Sequence, residues 1–134
     1  MSEPLRYVLC LGSNTPDCRE IIPRAVEALA CLCHIEIESA LYESPDESGL
    51  GAPYLNQVVA VTPRLGYCEL CARLKALEIE FGRNDRSKAA GIMPLDVDVI
   101  IWDYEVVDPY QFSRRYFRIG YNAISCGGKS DSPE

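Results

Sequence analysis

The sequence contains no apolar run that approaches the roughly 20 residues of a membrane-spanning helix. Its start, M-S-E-P-L-R-Y, lacks the positive charge followed by an apolar stretch that marks a secretory signal. Basic residues are also few: 13 Lys and Arg stand against 20 Asp and Glu, for a net charge of -7. Proteins that bind nucleic acids or anionic membranes broadly are normally basic. We therefore expect a cytoplasmic protein with no nucleic-acid or membrane partner, in which local basic patches are still allowed.

The cysteines cannot all pair with one another, because there are seven of them. Without an export signal we expect reduced thiols and no disulfide framework. Two short clusters, C-L-C-H at residues 31–34 and C-E-L-C at residues 68–71, carry ligand types that bind zinc. Both lie in helix-like patterns, where cysteine more often packs as a small apolar residue. Core packing is the expected role, and a thiol- or zinc-binding interaction protein remains a minor alternative.

The 134 residues fit one domain with a core of its own. Apolar residues make up 48% of the chain and charged residues 25%, which is typical of a globular protein. We expect a single domain over residues 1–125. The small and polar residues of the end, C-G-G-K-S-D-S-P-E at 126–134, predict a disordered tail.

Apolar periodicity predicts strands and helices along the chain. Short apolar runs predict strands at residues 6–11, 35–42 and 54–61, the second with Ile35 and Ile37 on one face and acids on the other. Helical spacing predicts one helix from about residue 17 and another through residues 70–81. The stretch E-S-P-D-E-S-G-L-G-A-P, residues 43–53, is too long for a hairpin turn and predicts a mobile functional loop.

Two carboxylates occupy one face of a further predicted strand, P-L-D-V-D-V-I-I at residues 94–101. Side chains alternate along a strand, so Asp96 and Asp98 lie on the same face. Strands contain few aspartates, and two like charges so close repel each other unless water or a cation separates them. A solvated outer face is one interpretation. The other is a magnesium site, because this ion prefers carboxylate oxygens and shares its coordination with substrate phosphates.

Two further segments indicate ligand contacts. Tyr54 and Asn56 share a face of the strand at residues 54–61 and suit a planar heterocycle, although a structural cross-strand pair is equally compatible. The loop R-N-D-R-S-K-A-A-G then places Arg83, Arg86 and Lys88 directly before the D-V-D strand. Arginine and lysine there would grip a polyphosphate together with magnesium, the alternative being a solvated basic loop.

Five short motifs now occur in order. They are L-G-S-N at residues 11–14, Y-E-S-P at 42–45, Y-L-N at 54–56, E-x-x-x-G-R at 78–83 and G-x-x-x-L-D-V-D-V at 91–99. Their order and spacing resemble the 6-hydroxymethyl-7,8-dihydropterin pyrophosphokinase family over about residues 5–107. The resemblance implies an α+β, ferredoxin-like fold with a mixed or antiparallel sheet. It also implies ATP and two Mg²⁺ ions as cofactors, and transfer of a pyrophosphoryl group from ATP to the pterin's hydroxymethyl oxygen in folate biosynthesis.

The same resemblance implies roles for individual residues. Asp96 and Asp98 match the magnesium ligands, Arg83 a phosphate-binding arginine and Glu78 a residue on the ATP side. Residues that match the family's pterin pocket are Ser44, Pro45, Tyr54 and Asn56. The loop at residues 43–53 matches a moving lid that excludes water.

Two departures from the family pattern allow a second reading. Met93 stands where the family usually has an arginine that binds ATP, and Tyr116 aligns near the position of a family histidine. One hypothesis is that Arg114, Arg115 and Arg118 restore the missing charge. The other is that the chain is a paralogue that binds nucleotide or pterin without turnover.

Overall fold

The computed structural model of the protein describes residues 4–126. The predicted disordered tail therefore lies, apart from Cys126, outside the described residues, as do the first three residues of the predicted domain. Cys126 follows the last helix and is exposed. Within the described part of the chain, no helix combines the length and apolar character that crossing a membrane requires.

Six strands form one sheet whose pairings are all antiparallel. They are β1 (Val8–Ser13), β2 (Cys33–Glu38), β3 (Tyr42–Ser44), β4 (Tyr54–Pro63), β5 (Asp96–Trp102) and β6 (Glu105–Val106). The order across the sheet is β2-β4-β1-β5-β6, and β3 pairs with β4 beside this path. Strand β1 thus lies centrally between β4 and β5, which both carry candidate site residues.

Between residues 4 and 126 the chain also forms five helices: α1 (Cys18–Leu29), α2 (Tyr67–Glu80), α3 (Asp85–Ala89), α4 (Pro109–Phe112) and α5 (Arg115–Ile124). Helices α1 and α2 cover one face of the sheet, where Leu9 and Leu11 of β1 join the buried leucines of both helices. On the other face Val8 and Cys10 pack with Phe117 and Ile124 of α5. All of β1 is buried because both faces of the sheet are covered.

This architecture, with two helices on one face of an antiparallel sheet, confirms the expected ferredoxin-like α+β fold. The strand predicted at residues 35–42 is, however, two strands, β2 and β3, and β3 also includes Glu43 and Ser44, the first two residues of the loop predicted at 43–53. A bulge between Ile35 and Ile37 shifts their pairing on β4 from Val61 to Ala60. Ile35 therefore packs on the α1–α2 face and Ile37 on the α5 face, so the prediction that both share one face was wrong.

Two further local expectations need correction. The basic loop at residues 83–91 contains a helix, α3, which begins with a capping box: Asn84 Oδ1 accepts from the Ser87 N–H at 2.9 Å, and Ser87 Oγ accepts from the Asn84 N–H at 3.0 Å. The sequence pattern of the C-L-C-H cluster predicted a helix. Cys33 instead lies on strand β2 and is fully buried, so this prediction was wrong.

Candidate active site

The acidic face predicted for the D-V-D strand is confirmed at the centre of the sheet. Asp96 pairs with Gly12 of β1 and Asp98 with Cys10, while Val97 and Val99 point into the core beneath α1 and α2. Both aspartates are partly exposed. The alternation of the strand therefore presents two carboxylates on the face opposite these helices, where the apolar valines anchor the strand from behind.

A third carboxylate joins them from helix α2. One oxygen each from Glu78, Asp96 and Asp98 lies within 4.8 Å of the others. Burial, and next the negative charge of Asp98, raise the pKa of Asp96 well above its usual range. Carboxylates that repel one another in this way are stabilised by a hard cation, and an all-oxygen donor set is the kind that magnesium prefers. The residues present therefore fit a magnesium site.

Glu78 and Arg83 tie this cluster to helix α2. Glu78 is buried, and its Oε2 accepts from the Val97 N–H at 2.9 Å, which joins α2 to β5. Its Oε1 accepts from Arg83 Nη1 at 2.6 Å, and the same guanidinium nitrogen lies 3.3 Å from Asp96 Oδ1. The guanidinium of Arg83 thus lies against the carboxylates of Glu78 and Asp96 through its Nη1 and neutralises part of their negative charge.

A cavity of about 170 Å³ adjoins the acids on the α5 face. The four residues predicted for the pterin pocket all line it together with Asp96: Ser44, Pro45, Tyr54 and Asn56. Asn56 is buried, and its Nδ2 donates to Ser44 Oγ at 2.8 Å and to the Tyr42 carbonyl at 3.3 Å. These hydrogen bonds fix the orientation of the amide, so its oxygen is the atom that can serve a ligand.

Gly12 forms part of the floor of this cavity. A Cβ at this position would lie 3.4 Å from Asn56 Oδ1 and 3.5 Å from Tyr54 Cδ2. The absence of a side chain on β1 therefore keeps open the space between the aromatic ring and the amide. From the sequence, the strand ends at residue 11 and this glycine of the L-G-S-N motif opens a turn, whereas in the structure Gly12 lies within β1.

The asparagine of the same motif was also missed. Asn14 is buried, its Oδ1 accepts from the Met93 N–H at 2.6 Å, and its Nδ2 donates to the Gly91 carbonyl at 3.3 Å. Its own N–H donates to the Met93 carbonyl at 3.0 Å. Asn14 thus holds the segment that leads into β5 and so helps to position Asp96, the first residue of that strand.

The far wall of the cavity comes from the end of the domain, where sequence reasoning was weakest. Gln111 of α4 and Tyr116 of α5 both line the cavity. Gln111 Nε2 donates to Asp98 Oδ2 at 2.9 Å, and Tyr116 Oη donates to Gln111 Oε1 at 2.8 Å. The D-P-x-Q sequence at residues 108–111, an N-cap followed by proline, was a usable signal for the short helix that carries this glutamine.

The predicted phosphate-binding cations lie beside a second, open groove of about 340 Å³. Arg83 and Lys88 line it together with Glu78, so it adjoins the acidic cluster. Arg86 is exposed on α3 and is not among the lining residues. Met93 lines the groove, so an uncharged side chain occupies the place at which the family pattern has an arginine.

The three arginines that could restore the missing charge, Arg114, Arg115 and Arg118, make different contacts. Arg114 Nε donates to Glu47 Oε2 at 2.7 Å, and Arg118 lies over the rings of Phe112 and Tyr121. Arg115 is exposed. The contacts of Arg114 join α5 to the loop at residues 43–53, at the rim of the cavity.

The cysteines do not converge. Within residues 4–126 the acidic cluster meets the geometric conditions for a metal site formed by three side chains, whereas no group of cysteines and histidine does. Cys10 and Cys33 are buried, and Cys31, Cys68 and Cys126 are exposed.

Comparison with known proteins identifies the family of this chain. The family model of the 7,8-dihydro-6-hydroxymethylpterin-pyrophosphokinases (HPPK) matches residues 8–125. The 2-amino-4-hydroxy-6-hydroxymethyldihydropteridine pyrophosphokinase of Aquifex aeolicus is 34% identical over 103 residues, covering 74% of this chain and 62% of the relative. The Pseudomonas aeruginosa protein of the same name is 31% identical over 106 residues, covering 77% and 65%.

A plant relative, the mitochondrial folate synthesis bifunctional protein of Pisum sativum, is 32% identical over 97 residues, covering 71% of this chain and 19% of the relative. The chain thus spans less than two thirds of the length of these curated relatives. The family match nevertheless extends over both strands of the acidic site and over the helices that wall its cavity. The chain belongs to the 7,8-dihydro-6-hydroxymethylpterin-pyrophosphokinase family.

Proposed function

We propose that the protein transfers a pyrophosphoryl group from ATP to the hydroxymethyl oxygen of 6-hydroxymethyl-7,8-dihydropterin, producing the pterin diphosphate and AMP in folate biosynthesis. The observation that carries the proposal is that Asp96, which clusters with Asp98 and Glu78, also lines the cavity that holds Tyr54 and Asn56. An alcohol bound in this cavity would lie next to the proposed metal ligands. Family membership supports the same reaction.

Asp96 and Asp98 would hold the two magnesium ions, with Glu78 behind them. When bound, magnesium neutralises phosphate charge and stabilises the charge that develops on the transferred group. The aspartates are suited to this task because the pairing of β5 with β1 fixes their backbone at Gly12 and Cys10. The contribution of the protein is then mainly to position the reactants and to stabilise charge.

The pterin would lie in the cavity lined by Ser44, Pro45, Tyr54 and Asn56. Both amide hydrogens of Asn56 have acceptors among the described residues, so Oδ1 would accept an N–H of the heterocycle. Ser44 Oγ already accepts from Asn56 and would donate its own hydrogen. The ring of Tyr54 would provide the flat apolar surface on which the heterocycle stacks.

ATP would approach through the adjoining groove. Arg83 and Lys88 line this groove and would contact the phosphates, with Arg86 contributing from the exposed side of α3. Glu78 would orient Arg83, to which it is bonded. A guanidinium fork suits phosphate oxygens, whereas lysine acts as a compact charge.

The loop between β3 and β4, residues 45–53, would act as the lid. Asp46 accepts hydrogen bonds from Ser48 and from the Gly51 N–H, so the loop has an internal fold. Glu47 accepts from Arg114 and Tyr110 on the opposite wall. Contacts of this type would close the site against water, which prevents loss of ATP to hydrolysis.

Product formation tests the reaction directly. Purified protein with ATP, magnesium and 6-hydroxymethyl-7,8-dihydropterin should release AMP and form pterin diphosphate, detected by mass. Asp96→Asn and Asp98→Asn should each lower the rate by about 10²–10³-fold, the loss expected for one preorganised electrostatic contact. Asp103→Asn is the matched control, since Asp103 follows the far end of β5 and pairs with Arg6. A folded protein that forms no product would contradict the proposal.

A second candidate function has its own observation. The uncharged Met93 in the proposed ATP groove favours a paralogue that binds nucleotide or pterin without turnover. Tight binding of ATP with magnesium, combined with absence of product, would identify such a paralogue.

Metal analysis of the purified protein tests the thiol- or zinc-binding alternative. A content well under one zinc per chain would remove it. A cytoplasmic location stays a prediction, since one relative is named mitochondrial.

A further inference from the structure

The amide of Gln111 lies between two carboxylates on the wall of the cavity. Its Nε2 donates to Asp98 Oδ2 and to Asp108 Oδ2, each at 2.9 Å. Its Oε1 accepts from Tyr116 Oη at 2.8 Å. Every polar group of this side chain therefore has a partner, and one of those partners is a proposed magnesium ligand.

The chemistry of the neighbours sets the orientation of this amide. Ionised carboxylates only accept hydrogen bonds, so the NH₂ group must face Asp98 and Asp108. The amide oxygen is then left for Tyr116, whose hydroxyl acts as the donor. The network therefore has one direction, from Tyr116 through Gln111 to Asp98.

The N-cap of helix α4 holds Gln111 in place. Asp108 caps helix α4, and its Oδ1 accepts from the Gln111 N–H at 3.1 Å. Asp108 thus binds both the backbone and the side chain of the same residue. Without the amide, Asp98 and Asp108 would face each other as like charges, and Asp98 would lose the contact that holds one of its oxygens.

We propose that Gln111 is a positioning residue for the metal site: it binds Asp98 Oδ2 and so leaves Oδ1 directed to the cation. This inference rests on the proposed function, since it presupposes that Asp98 binds magnesium. Partners behind a metal ligand commonly fix its orientation and raise metal affinity. Tyr116, in turn, keeps the amide from rotating.

The test measures metal affinity and does not depend on turnover. Mn²⁺ is titrated into the protein with saturating α,β-methylene-ATP, and free Mn²⁺ is followed by electron paramagnetic resonance. Gln111→Met keeps the size of the side chain and removes its hydrogen bonds. We expect it to weaken Mn²⁺ binding about 10-fold, at the lower end of the range for residues behind metal ligands.

Gln57→Met is the matched control. Gln57 is buried, whereas Gln111 is partly exposed, and Gln57 donates to the Ser39 carbonyl at 2.7 Å and to Glu38 at 3.3 Å, away from the cluster of Glu78, Asp96 and Asp98. It should lose stability while keeping Mn²⁺ affinity within about twofold, as expected for a distant site. In turnover, Gln111→Met should lower kcat with little change in the KM for pterin. Gln111→Ala replaces it if circular dichroism shows that the methionine variant is unfolded.

The variant Asp98→Asn distinguishes a failure of the proposed metal site from a failure of the proposed role of Gln111. If it weakens Mn²⁺ binding while Gln111→Met does not, the metal site stands and the role of Gln111 is refuted. If the unmutated protein fails to bind Mn²⁺, or if Asp98→Asn binds it equally well, the metal site fails and the role of Gln111 fails with it.

Discussion

In the proposed pterin pocket, the buried side chain of Asn56 would serve both the fold and the ligand. Its Nδ2 joins β4 to β3 through Ser44 and the Tyr42 carbonyl, while its Oδ1 faces the space above Gly12. A side chain that used both ends for the fold could not recognise a heterocycle. The division of donor and acceptor between the two tasks is therefore what makes this amide suited to the pocket.

Asn56→Asp should damage both tasks. The carboxylate cannot donate to Ser44 or to the Tyr42 carbonyl, and it carries charge at a position that is only 3% exposed. We expect a loss of about 2–4 kcal/mol in the free energy of unfolding, measured with urea, together with weaker pterin binding. Asn84→Asp, at the N-cap of α3, should be nearly neutral because aspartate caps helices equally well. Equal stability of the two variants would contradict this account.

Cys33 makes stability depend on pH at the alkaline end. Burial raises the pKa of its thiol to about 11 from an ordinary 9.0, against a smaller opposing effect of Arg64. The unfolded chain therefore releases this proton near pH 9 and the folded chain only near pH 11. The contribution is present below pH 9 and is lost as the pH rises from 9 to 11, by up to about 2 kcal/mol.

Urea unfolding at pH 8, 9, 10 and 11 tests this effect. Cys33→Ala removes the titrating group, so its free energy of unfolding should fall less steeply over this range than that of the unmutated protein. The slopes are compared because the substitution also removes packing at every pH. Parallel pH profiles would show that Cys33 does not contribute.

At the scale of elements, the position of α5 depends on its close approach to the sheet. A Cβ on Gly120 would lie 2.6 Å from Val58 Cγ2 and 2.7 Å from the hydroxyl oxygen of Tyr42. The Tyr42 hydroxyl donates to the Tyr116 carbonyl near the start of the helix. Gly120 and the partly buried phenol of Tyr42 thus set how far Tyr116 reaches into the cavity.

Gly120→Ala should therefore push α5 away from β4. We expect a loss of about 1–3 kcal/mol in urea unfolding, the usual effect of overpacking, and a lower kcat because Tyr116 and Gln111 shift. Gly66→Ala is the matched control: Gly66 precedes α2, and an added Cβ there meets nothing within 4 Å. A Gly120→Ala protein as stable as this control would refute the close-approach argument.

At the scale of the whole molecule, charge is unevenly placed. The net charge of -7 should repel a nucleotide polyphosphate, yet Arg83 and Lys88 line the groove beside the acids and Arg86 lies on the adjacent helix. The proposed binding of ATP would then depend on local cations acting against an unfavourable overall field. Magnesium at the acids would reduce the same repulsion.

Removing two of these cations tests that balance. The double variant Arg86→Ala/Lys88→Ala should raise the Kd for ATP with magnesium roughly tenfold at low salt, and by less at high salt because screening weakens exposed charges. The control Arg24→Ala/Arg73→Ala removes the same charge from exposed positions on α1 and α2. Similar losses in both proteins would mean that only net charge matters.

The sequence by itself determined the acidic face and the elements with clear apolar periodicity, although not the division of residues 35–42 into two strands or the helix α3. Alternation required Asp96 and Asp98 to share a face wherever β5 was placed, and helical spacing in α2 required its leucines to be buried. Motif order indicated the family and, through it, the fold. These features are local or nearly so, and the physical rules that govern them act over a few residues.

Only the tertiary structure decided which distant residues meet. The bulge that separates Ile35 from Ile37 depends on pairing with β4, and the role of Asn14 depends on a segment 77 or more residues away in the chain. Gln111 reaches Asp98 only because α4 folds back over β5. Contacts of this kind follow from packing of the whole sheet and its helices, which no periodicity in the sequence records.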